Sequence, residues 1–342
     1  MNLKQLSEHL NLSQTTVSRA LNGYPEVNED TRKRVLKAAQ ELNYSPNTRA
    51  KGLATGRSMA IGHVIPVTSK HEMVNPVFGD FIAGAGETYS AEGYDMVLTL
   101  VDDRDEESVY RKIRTRGSVD GVIVHGPKMT DPRIPLLRQL GLPFVVHGRA
   151  TDEGGDYAWL DVNNKSAFRR ATNYLLDLGH RRIALLNGLE TMDFAFRRRQ
   201  GYAEALAARG VAVNPALLRS EEMTEVLGYR SARDMLDRDD APTAFLVSSM
   251  ITAIGVRRAI HDKGLEMGRD VSVITHDDDL SYLKNGPGEA IFTATRSSVR
   301  EAGSLSARML IDLIRQRPTG RHQLLEADLI IGGSTGPAPS TR

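Results

Sequence analysis

The sequence predicts an α/β protein: an N-terminal all-α head followed by a two-lobed body built on parallel sheets. Three observations carry this. Apolar residues recur at helical spacing through the first 45 or so positions. From residue 59 onward, short apolar runs alternate with amphipathic helical stretches, the pattern of repeated βα units. That second span exceeds 280 residues, too many for one core, so it divides into two lobes.

In the head, Leu3, Leu6 and Leu10 lie at i, i+3, i+7, and Val17 and Leu21 at i, i+4. Val35, Leu36, Ala39 and Leu42 form a third stripe. The spacing predicts helices over about 3–10, 14–21 and 29–43, with Ser13 capping the second. Two short helices across a tight turn, with a third behind them, make a helix-turn-helix. The second helix keeps Val17, Ala20 and Leu21 inward and offers Ser13, Gln14, Thr15, Ser18 and Arg19 outward. Arg can bond guanine bidentately and Gln can bond adenine; a merely solvated helix face is the competing reading.

In the body, strands are expected over 60–67, 95–100, 121–125, 144–147, 182–187, 244–247 and 271–275. Helices are expected over 78–92, 105–116, 165–178, 196–209, 225–236 and 251–263. The chain is expected to pass between lobes near 159–161, return near 292–293 and cross once more near 317–323, before a last strand at about 325–331. The domain reading is 1–46 for the head, 47–58 for a hinge or linker and 59–342 for the body. Lobe 1 then takes about 59–160 and 292–320, and lobe 2 about 161–291 and 321–332.

Charge is unevenly placed. Lys and Arg number 44 and Asp and Glu 43, a net of +1. Residues 1–58 hold nine basic and five acidic residues, leaving 35 basic and 38 acidic in the rest. A basic head on a mildly acidic body suits contact with a polyanion. Cysteine is absent, which excludes disulfides, cysteine-ligated zinc and a thiol nucleophile. No apolar run reaches the ~18 residues of a membrane span, and the first residues lack a signal peptide's apolar core. A cytoplasmic protein with no membrane partner is expected.

The string Leu12-Ser13-Gln14-Thr15-Thr16-Val17-Ser18-Arg19-Ala20-Leu21-Asn22-Gly23 resembles the N-terminal signature of the LacI/GalR family of bacterial transcription regulators. The resemblance continues through 27–32, 42–47 and 53–58, then through Leu178-Gly179-His180-Arg181-Arg182 and Arg198-Arg199-Gln200-Gly201-Tyr202, so it spans nearly the whole chain. It implies that Gln14, Thr15 and Arg19 read the major groove. It implies that Ser13, Ser18, Asn22, Asn28, Thr31, Tyr44 and Asn47 hold phosphates. Residues 47–55 would form a hinge helix capped by Asn47, with Leu53 and Ala54 at the minor groove and Leu53 wedged between base pairs. Nine residues make a marginal helix in water, so it would form only against a dimer mate and DNA. The implied body resembles periplasmic sugar-binding proteins, with a sugar effector between the lobes. The implied partners are pseudo-palindromic double-stranded operator DNA and a second copy in a homodimer.

Ligands of open α/β sheets bind at strand C-terminal ends. Here those ends carry His125, His147-Gly148-Arg149, Asn187, Ser248-Ser249 and His276-Asp277, planar and hydroxyl groups suited to a sugar. By position in family motifs, Arg198 and Asp277 are the foremost ligand contacts and Phe78 the first-lobe wall. His125, Arg149, Phe194 and Ser249 follow. Competing readings are a satisfied buried histidine for His125 and an inter-lobe salt bridge for Arg149. Ser249 stands where many relatives carry Asn, and Asn163 where many carry Asp. With Phe144-Val145-Val146-His147-Gly148-Arg149, these changes resemble the α-glucoside-responsive branch, which implies an α-glucoside or another disaccharide. The expected function is a sugar-relieved repressor; a sugar-binding protein without DNA-linked regulation is the alternative.

No catalytic residue, metal or cofactor is expected. Gly332-Gly333-Ser334-Thr335-Gly336 matches the nucleophile-elbow pattern, but no acid or His follows it, and it reads as a flexible tail. The His276–Asp279 run lacks a second ligand cluster. Gly84-Ala85-Gly86 lacks the third glycine of a dinucleotide fingerprint. Of Arg197-Arg198-Arg199, one arginine should face the cleft.

Overall fold

The computed structural model describes residues 1–21, 23–44, 57–66, 75–102, 105–152, 154–277 and 279–340. The chain separates into a head, within Met1–Met59, and a body that begins at Ala60.

The head holds α1 (Leu3–Leu10), α2 (Gln14–Leu21) and α3 (Glu29–Glu41). Each start is chemically marked. Asn2 and Gln5 exchange side-chain-to-backbone hydrogen bonds, both 2.9 Å, as a capping box on α1. The Ser13 hydroxyl accepts from the Thr16 amide at 3.0 Å, and the Asn28 carbonyl oxygen from the Thr31 amide at 2.8 Å. Asn11 ends α1 in the left-handed region at φ 54°, one of the few side chains that tolerates it. Leu6, Val17, Ala20, Val35, Ala38 and Ala39 form the core; Leu36, placed in the third stripe from sequence, is instead exposed and Ala38 takes the inward position. The expected hinge helix, with Asn47, Leu53 and Ala54, and the expected phosphate contact Asn22 lie outside the described residues.

The body contains two six-stranded sheets. The first has the order β11 (His322–Leu325), β5 (Ala158–Val162), β4 (Phe144–His147), β3 (Gly121–His125), β1 (Ala60–Pro66), β2 (Asp95–Val101), and every neighbouring pair is parallel. The second has the order β12 (Asp328–Ile330), β10 (Thr293–Arg296), β9 (Ser272–His276), β8 (Ala244–Val247), β6 (Ile183–Asn187), β7 (Leu218–Ser220). It is parallel except for β12, which runs antiparallel to β10.

Three boundaries differ from the sequence reading. Residues 159–161 lie inside β5, so the first passage falls after Val162. Thr293–Arg296 pairs with β9 in the second sheet, which moves the return to 297–298. The expected single last strand is two: β11 completes the first sheet and β12 the second, so the last passage falls at 326–327. All three errors sit on strands of three to five residues, where alternation is too brief to read.

Helices α4 (Pro76–Glu92), α5 (Glu106–Arg116), α6 (Arg133–Leu140) and α11 (Val299–Ile314) belong to the first lobe. Helices α7 (Asn164–Asp177), α8 (Asp193–Ala208), α9 (Glu225–Leu236) and α10 (Met250–Asp262) belong to the second. Pairs cross with backbones in contact. A Cβ on Gly84 of α4 would lie 1.9 Å from the Arg300 carbonyl oxygen, and one on Gly303 of α11 2.1 Å from that of Phe81. Gly84 is thus a packing residue between the two helices.

The tail is not flexible as expected. Ser334 is fully buried. Its backbone oxygen accepts from the Val273 amide at 2.8 Å, and its hydroxyl accepts from the Thr293 amide at 2.8 Å. The Gly336 carbonyl accepts from His180 Nε2 at 3.0 Å, and the Ala338 amide donates to Leu178 at 2.8 Å. Buried backbone groups need partners, and the strand ends of the second sheet supply them.

Candidate nucleic-acid interface and ligand cleft

On α2, Val17 and Ala20 are buried while Gln14, Thr15 and Arg19 stand exposed on the opposite side. Ser13 is exposed and caps the helix; Ser18 is half-buried. Asn28 caps α3, and Thr31 lies in its first turn. Tyr44 packs half-buried against the head core, and burial raises its phenol pKa. The helix whose N-terminal half would enter a groove therefore turns Gln14, Thr15 and Arg19 outward.

Parallel strands bring the predicted cleft residues to one edge of each sheet. In the second lobe the centre is Arg198 on α8, which is 6% exposed. Its Nε donates to Asn164 Oδ1 at 2.7 Å and its Nη1 to the Ser248 carbonyl at 2.9 Å. The guanidinium also lies over Phe168 at 5.1 Å and Phe194 at 4.7 Å. Burial lowers its pKa to about 10, against the pull of Asp277 and Asp161, so it stays a cation at neutral pH. Asp277 adopts φ 52° just past β9. It accepts from Ser297 Oγ at 2.7 Å and lies 3.2 Å from His276 Nε2. Burial works to raise its carboxyl, but His276, Arg198 and Ser297 together hold it below the usual range. Arg197 and Arg199 turn away to Asp193 and to Glu190 respectively, so one arginine of the three enters the buried site.

The first-lobe wall is aromatic and imidazole. Phe78, in the first turn of α4, meets His125 edge-on at 5.2 Å, and Phe81 stacks on His147 at 4.2 Å. His63 on β1 is fully buried and contacts His125 through Nδ1 at 2.8 Å. Burial lowers His63 to about 3 and His147 to about 4, the latter against Asp277, and it lowers His125 well below the ordinary range. All three are neutral at pH 7. Arg149 pairs with Asp161 at 2.7 Å and lies 4.9 Å over Trp159. Asp161 lies on β5 and Arg149 two residues past the end of β4, both in the first lobe, so the pair is not the inter-lobe bridge considered from sequence. Burial raises the Asp161 carboxyl despite Arg149.

One polar path joins the walls. Asn164 reaches Asp161 at 3.4 Å and holds Arg198 on its other side. Further contacts close both rims. Thr151 and Arg197 bond the Asp193 carboxylate, and the Asp193 amide donates to Pro127 at 3.1 Å. Opposite, the Ser281 amide donates to Asp80 at 2.6 Å.

The structure brings Phe78, His125, Arg149, Phe194, Arg198 and Asp277 to this region, but it commits Ser249 elsewhere. The Ser249 hydroxyl caps α10, accepting from the Thr252 amide at 3.3 Å. Sequence reasoning missed His63 and Asn164. A histidine inside the apolar run Ala60-Ile61-Gly62-His63-Val64 was the available signal for the first; nothing local marked the second. His276 is engaged by Thr295 and Asp277, and no metal-holding group of three or more His, Cys, Asp or Glu occurs among the described residues.

Comparison with known proteins fits this geometry. The model for bacterial regulatory proteins of the lacI family matches residues 3–47, and that for a periplasmic binding protein-like domain matches 172–335. The HTH-type transcriptional regulator AglR of Rhizobium meliloti (strain 1021) is 46% identical over 340 residues, 99% of this chain and 95% of that protein. The chain belongs to the LacI family. Like its relatives of that family, it is a helix-turn-helix transcriptional regulator with a periplasmic-binding-protein-like body. Among solved structures, the lac repressor dimer bound to operator and the anti-inducer ONPF matches with TM-score 0.83 at 25% identity, covering 98% of this chain and 99% of that one. The transcriptional regulator CelR–cellobiose complex matches with TM-score 0.72 at 27% identity, over 98% and 99%. Among the described residues, no helix is long and apolar enough to cross a membrane.

Proposed function

We propose that this LacI-family regulator is a cytoplasmic repressor of sugar-utilisation genes. It binds a pseudo-palindromic operator as a homodimer and is relieved by an uncharged sugar, an α-glucoside or another disaccharide, held between the lobes. The observation that carries the effector reading is the cleft's donor set. Arg198 and Asp277 lie buried and oriented in the second lobe, and imidazoles and phenyl rings line the strand ends of the first. Planar groups suit hydroxyl pairs, and rings suit the apolar faces of a pyranose. A related regulator of similar fold has been solved with cellobiose, a disaccharide.

A dimer is supported by β2, an edge strand that leaves Val97, Leu98 and Leu100 substantially exposed. An apolar strand edge invites pairing or cover. Two heads related by a two-fold axis would meet two half-sites.

The DNA half of the proposal is tested on Arg19. Arg19→Ala should cost about 1–3 kcal/mol on the operator and relax preference at one base pair, measured by fluorescence anisotropy on the upstream DNA of its own gene. Equal weakening on operator and random DNA would reduce Arg19 to a phosphate contact.

A further inference from the structure

His125, His63 and Tyr89 form a line of three polar side chains leading from the cleft into the first-lobe core. Tyr89 on α4 is 1% exposed, and its hydroxyl lies 3.1 Å from His63 Nε2. His63 Nδ1 lies 2.8 Å from His125 Nε2. The imidazoles are neutral and the phenol keeps its proton, so each ring carries one N–H and the line must choose a direction.

Consider both choices. If His125 Nε2 donates to His63, then His63 Nε2 must donate to Tyr89. The Tyr89 proton is then left inside the core with no acceptor among the described residues. A buried unmet donor is costly compared with a made hydrogen bond. If instead Tyr89 donates to His63 Nε2, then His63 Nδ1 donates to His125 Nε2, and every buried group in the line is satisfied. His125 then carries its own proton on Nδ1. That ring is half-buried at the C-terminal end of β3, and its Nδ1 has no partner among the described residues.

We infer that Tyr89 and His63 act as positioning residues that lock His125 into the Nδ1–H tautomer, so that the first-lobe wall presents a hydrogen-bond donor to an acceptor oxygen of the effector. The inference rests on the reading of the cleft as the effector site. Neither Tyr89 nor His63 touches the ligand; they act through His125. Histidine tautomers are set by the bond at the other nitrogen, and here that bond is dictated two residues away by a single phenol proton.

The test separates this inference from the effector reading. In ligand-free, 15N-histidine-labelled full-length protein, long-range proton–nitrogen correlation should show His125 protonated at Nδ1 and bare at Nε2, with the assignment made by His125→Asn. Tyr89→Phe, which removes one oxygen, should shift His125 to mostly Nε2–H, with Nδ1–H reduced to about a tenth. An Nε2–H signal for His125 in the unsubstituted protein overturns the inference whether or not any sugar binds.

Affinity supplies a second arm, with maltose and sucrose as probes. Tyr89→Phe should weaken the sugar that binds by about tenfold, the size of one net hydrogen bond. In a His125→Asn background, where the amide donates regardless of the line behind it, Tyr89→Phe should change affinity less than twofold. Persistence of the tenfold loss there would make Tyr89 a packing residue and overturn the inference. If neither sugar binds, the effector reading fails and the tautomer measurement still decides this one.

Discussion

The two walls of the cleft solve one problem with opposite chemistry. The second-lobe wall is ionic: Arg198 and Asp277, each held by neighbours that fix its direction. The first-lobe wall, apart from the Arg149–Asp161 pair at its side, is neutral: phenyl rings and desolvated imidazoles in mutual contact. The ionic wall gives direction at the cost of burying charge, so it depends on complete pairing. The neutral wall gives shape and stacking, and its weakness is protonation.

Breaking the ionic wall should have the largest effect. Arg198→Ala leaves Asp277 and Asn164 facing an emptied space, and should abolish the sugar response and lower stability by about 4 kcal/mol. A sugar titration of operator complexes and a denaturant melt would show both; an intact response would remove Arg198 from the site.

Acid should act on the other wall. The folded-state values of His63 and His147, about 3 and about 4, lie below that of an unfolded histidine. Between those values and 6.5 the unfolded chain binds more protons, so stability is lost as pH falls below 6.5. From pH 7 to pH 5 the loss should be about 2 kcal/mol for each of the two histidines. Melting curves at the two pH values measure it, and a flat profile would mean the histidines are already charged in the fold.

Smaller changes sharpen the contrast. Phe78→Leu keeps an apolar surface but removes a ring, and should weaken sugar binding by about 1.5 kcal/mol with little effect on folding. Calorimetry reads both, and unchanged affinity would show that no sugar face rests there. Ser249→Ala should cost roughly 0.5 to 1 kcal/mol of stability through its lost helix cap and leave sugar affinity unchanged. A large affinity loss there would return Ser249 to the ligand site.

Legibility in the sequence followed the range of each interaction. The head was readable because α1, α2 and α3 are fixed by spacing within a few residues and by caps such as Ser13. Strand ends in the body were readable for the same reason and marked His125 and Asp277, whereas Arg198, on helix α8, was marked only by its resemblance to a family motif. The passages between lobes were misplaced because β10, β11 and β12 are short and their pairing partners lie far along the chain. Ser249 resisted because one hydroxyl can cap a helix or contact a sugar, and only geometry chooses. His63 was hidden because its partners, Tyr89 and His125, stand 26 and 62 residues away.

On the proposed function, sugar and operator oppose each other through one coupling free energy. Measuring operator affinity by anisotropy across a maltose and sucrose series, and sugar affinity by calorimetry with and without operator, tests it directly. Sugar should weaken operator binding at least several-fold, and operator should weaken sugar binding by the same factor, as linkage requires. Tight operator binding unchanged by a sugar that demonstrably occupies the cleft would contradict it.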